Sequence, residues 1–383
     1  MIAIRAGSLP SGAVRPAEAG RAEDIDTIRA IACIALVSFH VVGVGPTSGL
    51  ELGRDHWLSV MNAALIDLRM PLFSFVSGYV FTQAWPGQGK GRERAPWGRI
   101  AAKARRLLLP MACVGTLFWL ARDAAGIAQQ PFATIFVTSF AHYWFLQATF
   151  LIMAAFLLAT WAAGGRGGAV AAVLMAAAVA VWLLQLRPAG NLFSMRPAVH
   201  LAIFFMAGHL LARAGATASL TERRGRRLGI AAVAASVALG ACLATGAVEV
   251  QAIWLRQAIG GALGLAFCVA LFAARPRSAS LAHLGRHSYA IYLFHVFFTA
   301  ATILAVRHLA PGLDAAAVWP VATAAGLAGP MVLQTAILRV PAAALLLLGV
   351  RARQARPGPT APRPVAERPP VAVRAGRAHP ALN

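Results

Sequence analysis

Residues 24–43 read DIDTIRAIACIALVSFHVVG. After two acidic residues the stretch is almost wholly apolar, and it is long enough to cross a ~30 Å hydrocarbon layer as a helix. Only two ionisable side chains interrupt it, Arg29 and His40. They are eleven residues apart. At 3.6 residues per turn they fall within about 20° of one helix face and about 16 Å apart along the axis. A charged or ionisable group at that depth is costly unless it faces a polar cavity or a partner.

The rest of the chain repeats this apolar pattern. Hydrophobic residues make up 59% of the 383 positions and charged residues only 13%, and the mean hydropathy is +0.67. That leaves too little charge to coat a soluble domain. Lipid offers no partner for open backbone groups, so the repeated stretches must be helices. The alternating pattern of a membrane β-barrel is absent. We therefore expect an all-α polytopic membrane protein of about ten transmembrane helices. The expected helices cover 25–44, 57–84, 107–124, 142–162, 168–186, 198–213, 228–246, 251–274, 282–307 and 316–340. Segment 57–84 contains Asp67, Arg69 and Pro71 and is expected to break there, with its spanning part starting near Met70. Residues 96–107 read as a basic interfacial helix, and 341–350 as a short apolar stub at the membrane surface.

The domain itself is expected over 24–350, between tails at 1–23 and 351–383. The first tail has no hydrophobic run of signal-peptide length. The second is rich in Pro and Arg, a composition that does not form a packed core. A net charge of +22 is a signature of nucleic-acid binding when it covers one soluble face. Here it is spread over short loops and tails, so no nucleic-acid partner is expected. Lys90, Arg92, Arg94, Arg99, Lys103, Arg105 and Arg106 follow the second span, and Arg213, Arg223, Arg224, Arg226 and Arg227 follow the sixth. The alternate loops are poorer in charge. By the positive-inside rule the basic loops and both tails face the cytoplasm. Cys33, Cys113, Cys242 and Cys268 lie in apolar segments without a CxxC pair, which suggests neither a disulfide framework nor a metal site.

Taken singly, Arg29 reads equally as a snorkelling cation at the interface, and His40 as a histidine satisfied by a neighbouring helix. Together on one face they read as two ends of a polar slot. A guanidinium grips phosphate bidentately, and an imidazole titrates near neutrality and can take a proton from a hydroxyl.

From these two residues a family pattern emerges. Asp26-x-x-Arg29 followed by ten residues and His40 resembles the opening of the acyltransferase 3 family of membrane acyltransferases. Met70-Pro71-Leu72-Phe73-Ser74-Phe75-Val76-Ser77-Gly78-Tyr79 is similar to that family's MPLFFFxSGY stretch. Lys103-Ala104-Arg105-Arg106 is similar to its basic motif before the third span, with Lys103 where the family usually has Arg. Trp144-Phe145-Leu146 resembles its WFL motif, and residues 284–295, LGRHSYAIYLFH, resemble its LGxxSYxIYLxH signature. The family's late acidic residue has no counterpart near Arg339-Val340-Pro341. The MPLF form is most similar to the sugar O-acetylase, or fucose acetylase-like, branch.

The resemblance implies a bacterial inner-membrane enzyme. It would transfer an acyl group, usually acetyl from acetyl-CoA, to a hydroxyl of a glycan, glycolipid or small molecule. It implies His40 as the essential base or a transient acyl carrier, with Arg29 at the same site. Arg29, Lys103, Arg105 and Arg106 would hold the phosphates of acyl-CoA arriving from the cytoplasm. Asp67, Arg69, Trp144 and His295 are candidates for the acceptor side. Asp67 and Arg69 read also as an interfacial ion pair. Trp144 reads also as an aromatic-belt anchor. His295 reads either as a neighbour of His40 or as a residue packed against Tyr292 and Ser288. No metal is expected. A multi-span transporter or flippase for a polar or lipid-linked substrate is the competing class, since broken helices and buried polar residues suit it too.

Overall fold

The structure is a computed structural model that describes residues 16–43, 48–84, 95–127, 130–186, 191–215 and 222–351; the side chains of residues 16–22 and 222 lie outside that description. Residues 1–15 and 352–383, which hold most of the two expected tails, also lie outside it. Among the described residues all regular structure is helical. The helices are α1 (Pro16–Val42), α2 (Trp57–Ala64), α3 (Ile66–Gln83), α4 (Trp97–Ala124), α5 (Thr134–Val137), α6 (Trp144–Ala162), α7 (Gly167–Leu183), α8 (Met195–Ala214), α9 (Glu222–Ala244), α10 (Ile253–Ala274), α11 (Ala279–Arg286), α12 (Ser288–Leu309), α13 (Ala315–Ile337) and α14 (Pro341–Leu348).

Among the described residues eight helical segments are long and apolar enough to span a bilayer, and the bent pair α2–α3 makes a ninth when counted as one span. The apolar α7 is shorter, at 17 residues. The expected ten segments are thus all helical, but a tenth crossing would rest on α7, which is shorter than the eight.

Three boundaries differ from expectation, each for a local reason. The break between α2 and α3 falls at Leu65, with a bend of 42°, so Asp67 and Arg69 lie on α3 itself. Pro71 stays inside α3 at the cost of one backbone bond. The bend is stitched by Arg69 Nη1, which donates to Asn62 Oδ1 at 2.9 Å. Second, the expected interfacial helix and third span are one continuous α4 of 28 residues. The helix runs on through Pro110, and Lys103 and Arg106 face an internal cavity. Third, residues 282–307 do not form one helix. The chain turns at His287 between α11 and α12. His287 Nδ1 pairs with Gln334 Oε1 of α13 at 2.9 Å, while α11 docks on the start of α1.

Small residues set the closest helix contacts, as is usual when lipid supplies no hydrophobic drive between helices. A Cβ at Gly285 would lie 1.8 Å from the Asp26 carbonyl oxygen, so α11 approaches α1 backbone to backbone. The Arg277–Asp24 ion pair at 2.5 Å holds the same junction. Between α3 and α8 the contact is reciprocal. A Cβ at Gly78 would lie 1.9 Å from Phe205 O, and one at Gly208 would lie 2.1 Å from Phe75 O. These carbonyls belong to helical backbone and cannot move aside alone. Gly78→Val is therefore expected to cost about 3 kcal/mol or more, read as a large drop in the melting temperature of detergent-purified protein. A variant that melts like the parent would contradict this packing.

Around these contacts α1, α3, α4, α6, α8, α10 and α12 share one apolar core, which includes Phe75, Phe156, Phe204 and Phe205. Buried within it, two polar regions face each other.

Candidate active site

The first region is a cavity of about 500 Å³ reached by His40 from α1. Phe39, Arg69, His142, Trp144 and Tyr292 also line it. Arg69 is only 5% exposed, an expensive place for a guanidinium. Besides its bond to Asn62, it stacks over the Phe39 ring at 3.6 Å. A cation so held is a fixed positive charge on the cavity wall.

Three imidazoles cluster beside this cavity. The His40 and His295 ring centres are 4.9 Å apart, His142 and His295 5.0 Å, and His40 and His142 5.7 Å. His40 is half-buried and faces the cavity. His295 is fully buried and lines neither cavity. Its Nδ1 donates to the carbonyls of Ile291 at 2.8 Å and Tyr292 at 3.0 Å. Nε2 of His295 and Nε2 of His142 are buried without a hydrogen-bond partner among the described residues. No group of three or more His, Cys, Asp or Glu side chains among those residues is arranged to hold a metal ion.

His142 is presented by a turn just ahead of α6, and a polar network holds that turn. Gln147 donates to the Ile135 carbonyl at 3.2 Å and accepts from Ser194 at 2.5 Å. Ser139 pairs with Ser194 at 3.0 Å, and Asn191 donates to Ser139 at 2.7 Å. Tyr292 Oη donates to the His142 carbonyl, which ties the turn to α12. The rigid presentation of His142 is thus built from residues of four separate segments.

The second region is a cavity of about 340 Å³ lined by Arg29, Lys103, Arg106 and Arg286, with apolar walls from α3, α4 and α6. Arg29 is oriented by Asp26, with Nη1 to Oδ1 at 2.7 Å. Lys103 lies over the Phe81 ring at 5.0 Å and Arg106 over the Tyr289 ring at 4.1 Å. Arg106 also donates to the Leu348 carbonyl of α14, and Tyr289 Oη donates to the Arg106 carbonyl. The expected surface stub therefore packs on the basic helix.

Tyr292 lines both cavities. With Phe73 and Phe145 it forms an aromatic septum, with ring centres 5.6 Å (Phe145–Tyr292), 6.0 Å (Phe73–Phe145) and 6.3 Å (Phe73–Tyr292) apart. Four cations therefore line one cavity with all three rings, and Tyr292 is also a wall of the cavity that His40 and His142 line.

The structure brings together most of the residues singled out from sequence. Arg29, Lys103 and Arg106 share the basic cavity; Arg105 is not among its lining residues. Arg69 and Trp144 share the other cavity with His40. Asp67 is not in its lining; it pairs with Arg256 of α10 at 2.8 Å. His142, Arg286 and Tyr292 were not assigned roles from sequence. Arg286 and Tyr292 lie inside the LGRHSYAIYLFH stretch, and His142 stands two residues before Trp144, so proximity to a motif was the available signal. Ser77 lines the basic cavity, but its hydroxyl donates back to the Phe73 carbonyl at 2.8 Å, a helix-packing bond without a base beside it.

A bundle of apolar helices enclosing a cationic cavity and a histidine-lined cavity that share the wall residue Tyr292 defines a multi-pass membrane protein. Residues 23–335, well over half the chain, match the acyltransferase 3 family, an acyltransferase domain. The chain belongs to that family and is a membrane acyltransferase. It matches no curated protein and no solved structure.

Proposed function

We propose that the protein moves an acyl group, acetyl in the simplest case, from acyl-CoA to a hydroxyl of a glycan, glycolipid or small-molecule acceptor. The donor's phosphates sit among Arg29, Lys103, Arg106 and Arg286. Its thioester arm passes Phe73, Phe145 and Tyr292 toward the histidines. The acceptor occupies the cavity lined by Arg69 and Trp144. The single observation that carries this reading is that Tyr292 is a wall of both cavities, so reactants entering from opposite sides meet at one point beside His40.

The reaction balances on the residues present. His40 takes the proton of the acceptor hydroxyl as the oxygen attacks the thioester carbon. The carbon–sulfur bond then breaks, and the proton returns to the departing thiolate. Arg69 supplies a fixed charge toward an oxyanion or an acceptor oxygen. The charge asymmetry of the loops supports a reading in which the basic cavity and both termini face the cytoplasm, where acyl-CoA is available, across a bacterial inner membrane.

The direct test is purified protein in detergent with radiolabelled acetyl-CoA. Slow thioester hydrolysis, and faster label transfer when an extract of membrane glycans is added, are the expected results. A matched comparison of glycans and lipids from a deletion strain should lose the mass increment of one acetyl group. Protein that neither hydrolyses acetyl-CoA nor labels any acceptor, while moving a polar solute across vesicles, would overturn the reading in favour of transport.

A further inference from the structure

Acyl transfer by His40, the reading on which this inference rests, leaves one buried group without a task. His295 lines neither cavity, so it is out of reach of donor and acceptor. Yet a histidine kept fully buried within 4.9 Å of the His40 ring centre is a costly packing residue, because its ring nitrogens must be satisfied. One of them is. Nδ1 is bonded to two backbone carbonyls, Ile291 at 2.8 Å and Tyr292 at 3.0 Å. Carbonyls only accept, so Nδ1 must carry the hydrogen. That fixes the tautomer. In the neutral ring Nε2 is then a lone-pair acceptor and nothing else. It is buried with no donor among the described residues.

We propose that His295 is the positioning residue of His40: its fixed Nε2 accepts one N–H of His40, which turns the other His40 nitrogen, as a lone pair, toward the acceptor hydroxyl. The ring centres are 4.9 Å apart with the planes tilted by 51°, so the bond is not formed in this structure, but a rotation of the cavity-facing His40 ring would bring a ring nitrogen within hydrogen-bond range of Nε2. Catalytic bonds are often poorly aligned before substrate binds and tighten in the complex. In the familiar hydrolase arrangement a carboxylate does this work, holding the tautomer and supporting the imidazolium. Here Asp24, Asp26 and Asp67 are committed elsewhere, to Arg277, Arg29 and Arg256 respectively, and among the described residues no carboxylate lines the His40 cavity. A neutral imidazole with a backbone-locked tautomer takes the carboxylate's place. As His40 accepts the hydroxyl proton, the hydrogen bond to His295 becomes charge-assisted, and it relaxes when the proton passes to the thiolate. His142 stands at a similar distance from His295, with ring centres 5.0 Å apart, but its Nε2 is buried, whereas His40 opens onto the cavity.

The test compares two substitutions at one site. His295→Met fills the volume and removes the acceptor. His295→Gln keeps an oxygen near the position of Nε2. With acetyl-CoA as donor, His295→Met is expected to lower kcat about 100-fold with KM for donor and acceptor within a few-fold of the parent, and His295→Gln to recover at least about tenfold of that loss. Melting temperatures in detergent check that both variants are folded. Equal losses in the two variants, an effect confined to KM, or full activity in His295→Met would each overturn the assignment. His40→Ala run beside them separates the two levels. An inactive His40→Ala with an unaffected His295→Met refutes the positioning role alone. An active His40→Ala refutes the base itself, and the positioning role with it.

Discussion

His40→Ala is expected to lower kcat for acyl transfer by about 10³-fold or more, within the range that a positioned general base contributes, while leaving the protein folded. Both halves of the expectation come from where the ring sits. It is half-buried on α1 and opens onto a cavity of about 500 Å³, so truncation enlarges an existing space and creates no closed void in the core. The apolar contacts that hold α1 come from other faces: Cys33, Val37 and Val41 pack against Ile291, Ile303 and Ala322. The melting temperature should therefore stay close to the parent's. Activity should not, because Ser77 is bonded to its own helix backbone and Cys33 lies in that packed face, outside both cavities. Donor binding is expected to persist, since the cations that would hold it are across the septum. A His40→Ala protein that retains most of its kcat with any acceptor would end the case for this imidazole as the base.

Much of this site was readable in the first helix because helical geometry is short-range. Eleven residues are enough to fix the relative direction of Arg29 and His40 with no tertiary information. In the structure the two residues line different cavities, with Tyr292 of α12 a wall of both. Sequence periodicity says nothing about what another helix inserts into a slot. The same limit explains His142. It sits in an irregular turn whose direction depends on Gln147, Ser194, Ser139 and Asn191 bonding across segments, so no periodic pattern announces it. Breaks were also hard to place. Pro71 marked the broken second span, but the bend falls at Leu65, where the Arg69–Asn62 bond joins the two helices, and α3 continues through the proline. The turn at His287 has no proline or glycine at the joint itself; the backbone approach of Gly285 to Asp26 from one side and Gln334 from the other produces it. Local signals set which segments are helical; contacts between segments set where the helices stop.

Removing charge from the basic cavity should weaken the donor and spare the chemistry. Lys103→Met is the cleaner change, since Arg106 also carries a structural bond to the Leu348 carbonyl. Lys103 and Arg29 both line the cavity; a charge-assisted contact to phosphate contributes about 1.5–3 kcal/mol, so each substitution to Met is expected to raise KM for acetyl-CoA about tenfold or more with kcat little changed. The decisive comparison uses a donor without phosphates, such as an acetyl thioester of the pantetheine arm alone. The parent should use that donor poorly, and Lys103→Met and Arg29→Met should use it as well as the parent does. The phosphate and the cation then behave as coupled partners, and the loss from removing both is far smaller than the sum of the separate losses. Arg29 carries an added term, because Asp26 loses its partner at 2.7 Å; Arg29→Lys keeps the charge and should recover part of the affinity, though not the bidentate geometry of a guanidinium. If the substitutions impair the phosphate-free thioester as much as acetyl-CoA, the cations serve the fold or the membrane interface, and the donor must be held elsewhere. If kcat falls instead of KM rising, the charges act on the reacting carbonyl, which the septum of Phe73, Phe145 and Tyr292 would then have to open to permit.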